Sequence, residues 1–352
     1  MVKITSIDTL KSQRAKQKVT KELPFMVAGE MHQTQMVIDH GQAEVIELGK
    51  PIGEMVTSEQ GRKELIEKVV LDTELGREEV PLLYKSIYEE IKDPNLPRVL
   101  DMKWAQRGVV VFTEHIEGQE VEFGSLEAEH GPLAKLGAYT AGFEYTKEMR
   151  LFNETFNFEL LNRAFGEAYN ALLNHIHLSP IVKFDYKKEN VTQPVYVKPD
   201  GTPGTKDEGH YILSLRETLR QGIKDSAKEK RKGSILLVSS VHEQDILDAL
   251  GRHEMQGTNF EATTGIEEIV FYDGWETTVS RETTTYDGVP ENTAFLIRPK
   301  AGFKELVKQE LQVRAYDADP SRLIEQQVIA DTFRGVYAAL EENVQQIKLP
   351  TV

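Results

Sequence analysis

The residues best suited to covalent chemistry follow the apolar run ILLV at 235–238, where a strand would lead into a helix. A serine close to a histidine at such a junction is the usual arrangement of a nucleophile and its base. Ser239, Ser240 and His242 lie in Val-Ser-Ser-Val-His, which lacks the glycines that let a nucleophile elbow turn sharply. Ser240 and Glu243 have instead the spacing of a capping box. This spacing predicts a helix start at Ser240 and no catalytic serine.

The sequence also lacks a clear motif for a metal site or a phosphate site. Asp317 and Asp319 could bind a divalent cation, but a turn before Pro320 explains the pair better. His175 and His177 are two residues apart on a predicted helix, so they point to different faces, and no zinc-binding spacing occurs. Neither GxxxxGK nor GxGxxG is present. We therefore expect no catalytic residue, metal or cofactor.

The charge of the chain is strongly negative, at −15. This argues against a nucleic-acid contact over most of the surface. The densest internal basic cluster lies at a predicted helix end, where the helix dipole and solvation explain it, with nucleic-acid contact as the alternative. Its members are Lys224, Lys228, Lys230, Arg231 and Lys232.

Two segments carry opposite charge. Residues 1–23 contain six basic against two acidic side chains, and residues 111–130 contain six glutamates and no Lys or Arg. We expect these segments to contact each other between subunits, with solvation of both as the alternative. The basic candidates are Lys11, Arg14, Lys16 and Lys18, and the acidic ones are Glu114, Glu117, Glu120, Glu122, Glu127 and Glu129.

The element that must position the rest is a predicted helix from Thr146 to about His177, with Gly166 inside it and Thr146 as its N-cap. Apolar residues at steps of three or four form one stripe along it. The predicted core residues of the stripe are Phe158, Leu161, Phe165, Tyr169, Leu172 and Ile176. At ~1.5 Å per residue the helix would be roughly 45 Å long. A core helix of an ordinary domain is the alternative.

The segments predicted before this helix form an extended lead-in. The first is a basic arm at 1–23 with a helix from Ile7 to Val19, and the second is an extended stretch at 25–52 with a turn at His40-Gly41. Two helices follow, from Ser58 to about Val70 and from about Glu78 to Ile91. The last segment is a long hairpin at 108–146. The hairpin's ascending arm is rich in β-branched residues and its descending arm starts at Leu133.

A separate α/β unit is predicted after the loop at 197–209. Its elements are a helix from about Leu213 to Lys230, a strand at 234–240, a helix from Ser240 to Leu250, a strand at 266–274 and a threonine-rich strand at 275–288. Strands at 293–298, 311–316, 328–340 and 344–349 finish the chain. A length of 352 residues fits two or three domains. No cysteine is present, and no apolar run is long enough to cross a bilayer.

This order of parts resembles the major capsid protein of tailed bacteriophages, the Hong-Kong-97-like fold that is shared with encapsulins. The resemblance covers roughly residues 100–350 and rests on the hairpin, on AGFEYTKEM leading into the long helix, and on the ending from RPKAGFKELVKQELQVRAYDADPSRL to VQQIKLP. It implies an α+β fold with an N-terminal arm, an extended hairpin called the E-loop, a spine helix in a P-domain, and an α/β A-domain.

Carried onto this sequence, the resemblance implies seven segments. They are an arm and extended lead-in at 1–60, a helical lead-in at 61–107, the E-loop at 108–146, the spine helix at 147–180, the A-domain at 181–290, P-domain strands at 291–330 and a C-terminal segment near the A-domain at 331–352. Some relatives cross-link a lysine of the E-loop to a neighbour. Residues 112–130 contain no lysine, and Lys135 lies on the return arm, so we expect no such cross-link.

The function implied is a structural shell of pentamers and hexamers around the double-stranded DNA of a tailed phage. The implied partners are further copies of the chain, with scaffolding, portal and decoration proteins, weak non-specific contact to DNA and no membrane. The implied location is the virion capsid, with assembly in the host cytoplasm. An encapsulin-type cargo compartment is the alternative within the fold, and an α/β enzyme is the alternative outside it.

Overall fold

The computed structural model describes residues 3–27, 29–40, 42–43, 55, 58–101, 133–146, 155–250, 253–255, 258–260, 265–279, 282–316 and 324–351. Within these residues the chain forms six α-helices and nineteen strands, and the α+β class is confirmed. Most of the strands belong to two sheets, one of seven strands and one of six.

The seven-stranded sheet contains the longest strands of the described chain. Its strands are β2 (Lys18–Val27), β3 (Glu30–Asp39), β4 (Gln42–Ala43), β5 (Glu89–Lys92), β8 (Gly137–Thr146), β17 (Phe303–Tyr316) and β18 (Ile324–Ala338). The order is β4-β3-β2-β17-β18-β8, with β5 also beside β17. β17 and β18 run antiparallel, and β8 pairs antiparallel with β18 over most of its length. β2 and β3 form a long hairpin that meets β17 at one described register position, Arg314 against Met26.

The six-stranded sheet forms the centre of the α/β unit. Its strands are β1 (Lys3–Thr5), β9 (Val191–Thr192), β10 (Ile235–Val238), β13 (Glu268–Phe271), β16 (Thr293–Ile297) and β19 (Val344–Lys348), in the order β1-β13-β10-β16-β19-β9. Leu236 and Ile269 face one apolar core, while Leu237 and Val270 face another. Because both faces are buried, the central strand β10 is apolar at every position, as is usual in sheets covered on both sides.

The helices cover these sheets. They are α1 (Ile7–Arg14), α2 (Glu59–Glu79), α3 (Thr155–Lys183), α4 (Tyr211–Lys228), α5 (Glu243–Ala249) and α6 (Leu340–Asn343). Leu215 of α4 and Ile246 of α5 pack on one face of the six-stranded sheet. Leu173 and Ile181 of α3 pack on its other face. α3 has 29 residues, so it is about 43 Å long.

Three two-stranded ribbons complete the described strands. They are β6 (Val99–Asp101) with β7 (Leu133–Lys135), β11 (His253–Met255) with β12 (Thr258–Phe260), and β14 (Gly274–Val279) with β15 (Glu282–Asp287). The threonine-rich segment is therefore a hairpin, and the prediction of a single strand at 275–288 is wrong.

Three predicted elements of the first hundred residues need correction. The N-terminal helix ends at Arg14 because Lys18 already begins β2. The helix that begins after the Ser58 cap continues to Glu79, well beyond Val70. The predicted helix at 78–91 is wrong: the segment contains a short 3₁₀ turn and then β5, because it pairs with β17. Of the two residues of the predicted turn, Gly41 lies outside the described residues, and His40 lies between the paired strands β3 and β4.

The bounds of α3 also differ from the prediction. Thr146 is the last residue of β8, so it is not the N-cap of the helix. At the other end the helix continues past His177 to Lys183, with Pro180 inside it. Leu178 and Ile181 are fully buried, and burying these side chains outweighs the cost of a proline in the last turns. Gly166 lies inside the helix as predicted.

The sheets do not follow two of the predicted segment boundaries. β16 lies in the six-stranded sheet beside β10, so the boundary at 290/291 divides strands of one sheet. The boundary at 330/331 falls inside β18. β1 shows that residues 3–5 are part of the six-stranded sheet rather than of a free arm. The strands predicted at 234–240, 293–298 and 344–349 are confirmed as β10, β16 and β19, with ends that differ by at most two residues.

Candidate functional site

The long helix α3 is fixed by a close contact with α2. A Cβ atom on Gly166 would lie 1.9 Å from the carbonyl oxygen of Thr73, and one on Gly76 would lie 1.9 Å from that of Arg163. Each helix therefore places a glycine against the backbone of the other. The two helices approach too closely for any larger residue at these positions.

Asparagines of α3 hold the chain that leaves α2. The Asn170 side-chain amide donates to the carbonyls of Arg77 at 2.7 Å and Val80 at 2.8 Å. Asn174 accepts from the Leu83 N–H at 2.8 Å. The last carbonyls of a helix have no partner inside it, so α3 supplies some of the bonds that α2 lacks at its end. The asparagines therefore orient the two helices relative to each other.

A buried ion-pair network joins the same helices further along. The Lys68 ammonium lies 3.3 Å from Asp72 and 2.8 Å from Glu159 of α3. Asn162 donates to Asp72 at 3.2 Å. Lys68 and Asp72 are each 1% exposed. Burial raises the pKa of Asp72, while the Lys68 charge and the Asn162 hydrogen bond oppose that rise.

A second buried charge, Glu305 of β17, connects α3 to the seven-stranded sheet. Tyr84 donates to it at 2.8 Å, Arg334 at 2.5 Å and Lys85 at 3.1 Å. Burial alone would raise the pKa of Glu305, but the surrounding positive charges and the Tyr84 hydrogen bond outweigh burial and lower it. Burial lowers the pKa of His177 to about 4, so at neutral pH this positive charge comes from Arg334 and Lys85.

His177 itself lies at the centre of this contact. Its ring stacks on Tyr84 with centroids 3.6 Å apart, and its Nδ1 donates to the Leu173 carbonyl at 2.6 Å. Its Nε2 lies 3.7 Å from a Glu305 oxygen. His175 points elsewhere, as predicted from the spacing, and stacks on Tyr286 of β15. The two histidines therefore form no common metal site.

The predicted stripe of α3 is rotated relative to the face that the structure buries. Tyr169 is 7% exposed and therefore buried as predicted. Leu161 is 39% exposed, so the prediction that Leu161 belongs to the core is wrong. Phe165, Leu172 and Ile176 are half-buried, and the side chain of Phe158 lies outside the described residues. The most buried positions at the corresponding turns are Asn162, Asn170, Asn174, Leu173 and His177. The signal that could have shown this face is the recurrence of Asn and His at steps of three, four and eight residues.

The basic residues near the N-terminus contact α2 and β3 of the same chain. Lys11 lies 2.7 Å from Glu79, and Arg14 pairs with Glu78. Lys18 lies 3.6 Å from an aspartate at the end of β3, and Lys16 is exposed. The six glutamates at 114–129 lie outside the described residues. Contact between these segments in different subunits stays a prediction, with Lys11, Arg14 and Lys18 already paired within one chain.

The candidate nucleophiles after β10 have structural partners. Ser239 donates to Asp273 at 2.8 Å, and the Ser240 N–H donates to the same carboxylate oxygen. His242 instead contacts Tyr211 at 3.1 Å. The predicted capping box is therefore wrong: Ser239 caps this turn, with Asp273 supporting it.

The described residues contain no group of three His, Cys, Asp or Glu side chains that could hold a metal ion. Asp317 and Asp319 are not among them. In this part of the chain no helix is long and apolar enough to span a membrane.

The basic cluster at the end of α4 is divided in two. Arg231 is 7% exposed, and its guanidinium donates to Gln345 at 3.0 Å and to the Glu189 carbonyl. Its role is therefore structural. Lys228, Lys230 and Lys232 are exposed, while Lys224 lies 3.5 Å from Glu217.

No model of a known protein family matches the chain, and no curated protein sequence matches it. Solved structures do match. A virus-like particle from Pyrococcus furiosus is 11% identical with a TM-score of 0.48, and the match covers 81% of this chain and 100% of that one. The capsid of cyanophage P-SCSP1u is 8% identical with a TM-score of 0.49, covering 76% of this chain and 88% of that one.

A holo-encapsulin complex from Synechococcus elongatus also matches, at 11% identity and a TM-score of 0.38, over 63% of this chain and 76% of that one.

Proposed function

We propose that this protein is the structural subunit of a closed icosahedral shell, the major capsid protein of a tailed phage, built as pentamers and hexamers around double-stranded DNA. One observation supports the proposal above the others. Most of the six-stranded unit, residues 191–297, is inserted between α3 and the long β17–β18 pair of the seven-stranded sheet. This order of elements supports the separation into an A-domain and a P-domain with a spine helix that we propose from the sequence resemblance.

The surface of the described chain also fits a subunit that is covered by its neighbours. Leu160 and Leu161, adjacent on α3, are 51% and 39% exposed, and Phe333 of β18 is 37% exposed. Symmetric copies can bury such surface for one another. A shell role of this kind requires no catalytic residue.

The partners proposed for this role are further copies of the chain. Scaffolding, portal and decoration proteins are the additional partners that phage shells use. A net charge of −15 would keep contact with packaged DNA weak and non-specific. The proposed location is the virion capsid, with assembly in the host cytoplasm.

The acidic stretch gives this proposal a specific interface. We expect it to reach across a neighbouring subunit and to be held by charge, so shells should loosen as added salt shortens the Debye length from ~10 Å at 0.1 M to ~3 Å at 1 M. Reversing four of its glutamates to lysine should lower shell yield and salt tolerance. Unchanged shells would show that its charge has no part in assembly. The four to reverse are Glu114, Glu117, Glu120 and Glu122.

Light scattering of the purified protein tests the proposal directly. We expect particles far heavier than one 39.9 kDa chain under assembly conditions. Nuclease-protected DNA inside them would support the phage capsid, whereas protein cargo would support the encapsulin-type alternative. Monomers alone, with a scaffolding partner supplied, would contradict both.

A further inference from the structure

A pocket rich in basic residues lies where four connections of the fold meet. These are the end of α4, the link between β16 and β17, the link after α3, and α6. The pocket has a volume of about 590 Å³. Six of its lining residues are Lys or Arg, in a chain whose net charge is −15. We call it the cationic pocket, and its basic residues are Lys187, Lys230, Arg231, Arg298, Lys300 and Lys304.

Part of this charge is neutralised within the chain. Lys187 lies 2.7 Å from Glu341, and Lys304 pairs with Glu89 of β5. Arg231 has no ion pair, but it is buried and hydrogen-bonded within the chain. The three remaining cations of the pocket have no ion pair within the described residues, so their charge is available to a ligand. They are Lys230, Arg298 and Lys300.

Two of these three residues have an unusual backbone. The φ angles of Lys230 and Lys300 are 59° and 62°, in the left-handed region that favours glycine. Among the described residues other than glycine, only His40 shares this property. Left-handed backbone in a residue with a long side chain costs free energy, and such residues cluster at ligand-binding sites.

The surrounding hydrogen bonds show that the helix end favours glycine at position 230. Lys230 N–H donates to the Ala227 carbonyl at 3.1 Å, and Arg231 N–H donates to the Ser226 carbonyl at 2.9 Å. This is the Schellman pattern, whose left-handed position is usually glycine. The charge of a lysine there is attracted to the helix end, which glycine would not provide, and it also lies at the rim of the pocket.

We propose that the cationic pocket binds a carboxylate-bearing segment of a neighbouring copy of this chain, with Lys230, Arg298 and Lys300 as its contacts. The inference rests on the proposed shell function, which supplies identical neighbours at fixed positions. The chain has 57 acidic against 42 basic residues, so carboxylates dominate the surface that a neighbour presents.

Nucleic acid fits the pocket less well. Four glutamates line it together with the cations and would repel the successive phosphates of a DNA strand. A protein segment with isolated carboxylates can place each one beside a cation and avoid the glutamates. The four are Glu189, Glu229, Glu341 and Glu342.

Cross-linking between labelled copies tests the contact. Subunits with ¹⁴N and ¹⁵N are mixed before assembly, and the shells are treated with a carbodiimide, which joins a lysine amine to a carboxylate as an amide with loss of water. Mass spectrometry should find Lys230 or Lys300 joined to Asp or Glu of a differently labelled copy. Shells in which these lysines join carboxylates only of the same chain would overturn the inference. Failure to form any particle would count against the shell function instead.

A glycine double variant separates the binding role from a structural one. Lys230→Gly with Lys300→Gly relieves the left-handed strain, so the melting temperature of the free subunit should stay the same or rise. Its shells should dissociate at lower salt. His40→Gly is the matched control, since it relieves the same strain outside the pocket and should leave salt tolerance unchanged. Double-variant shells with unchanged salt tolerance, or with only their DNA content reduced, would overturn the proposal.

Discussion

Replacing Gly166 by alanine is the sharpest perturbation of the contact that fixes the long helix. In an ordinary helix interior this change stabilises by about 1 kcal/mol, because alanine has the better helix propensity. Here the new Cβ would lie 1.9 Å from the Thr73 carbonyl oxygen and 2.8 Å from the Arg77 nitrogen. Both are backbone atoms of α2, so no side-chain rotation can relieve the overlap.

The expected cost follows from this geometry. The closest distance falls about 1.5 Å short of an ordinary contact of 3.4 Å, so α2 and α3 must separate along the interface that buries Asn170 and Asn174. Overpacking of this kind costs about 1–3 kcal/mol. Since a backbone atom blocks the site, we take the upper value and subtract the propensity gain. The result is a net loss of about 2 kcal/mol.

Urea unfolding of the unassembled subunit, followed by circular dichroism, measures this loss. The matched control is Gly222→Ala in α4, where the new Cβ would meet the end of the Ile347 side chain at 2.4 Å. The atoms that it meets belong to a side chain rather than to backbone, so the control should cost less than Gly166→Ala. If Gly166→Ala is as stable as the wild type, or no worse than the control, the close approach of α2 and α3 is refuted.

Three further predictions follow from individual side chains. Leu173→Asp should prevent folding, because residue 173 is 0% exposed, whereas Leu161→Asp should give soluble, cooperatively unfolding protein. Lys21→Met should lower the free energy of unfolding in urea by about 1–2 kcal/mol, since Lys21 pairs with Glu74, whose side chain is 5% exposed. Lys11→Met should lower it by under about 0.5 kcal/mol, because the partner of Lys11 is exposed. Folded His177 has a pKa of about 4 against 6.5 unfolded, so only the unfolded chain gains a proton between these values. The free energy of unfolding should therefore fall by about 3 kcal/mol between pH 6.5 and pH 4. In the His177→Gln variant this contribution to the fall should be absent.

Each of these three has an outcome that contradicts it. Soluble, folded Leu173→Asp would place residue 173 outside the core. Equal costs for the two lysine variants would mean that burial of the partner carboxylate does not matter. Unfolding curves of wild type and His177→Gln that decline in parallel with falling pH would show that the folded histidine titrates normally.

The central strands of the six-stranded sheet could be predicted from sequence because their apolar runs leave little choice. ILLV at 235–238 is buried at every position. A short run of this kind, bounded by polar residues, is typical of a strand covered on both faces. The same reasoning found β16, because the hydrophobicity of a segment is a local property of its sequence.

The segment at 78–91 could not be predicted in the same way. Its apolar residues have helical spacing, but Glu89–Lys92 pairs in parallel with Lys304–Val307, more than two hundred residues later. No pattern in the local sequence indicates that pairing. The long-range partner determined the structure and overrode the local preference.

The orientation of α3 was missed for another reason. Its most buried face contains Asn162, Asn170 and Asn174, which a hydrophobicity pattern assigns to solvent. Their burial is favourable because the end of α2 and the Lys68–Asp72 pair supply hydrogen-bond partners. Those partners become known only when both helices are placed.

Electron microscopy of the purified, assembled protein tests the central claim most directly. The proposed shell function predicts closed particles of uniform diameter with icosahedral symmetry, whose reconstruction shows one copy of this fold at every subunit position. A field of monomers, or of small oligomers without closed symmetry, under conditions in which the subunit is folded and a scaffolding partner is present, would contradict it.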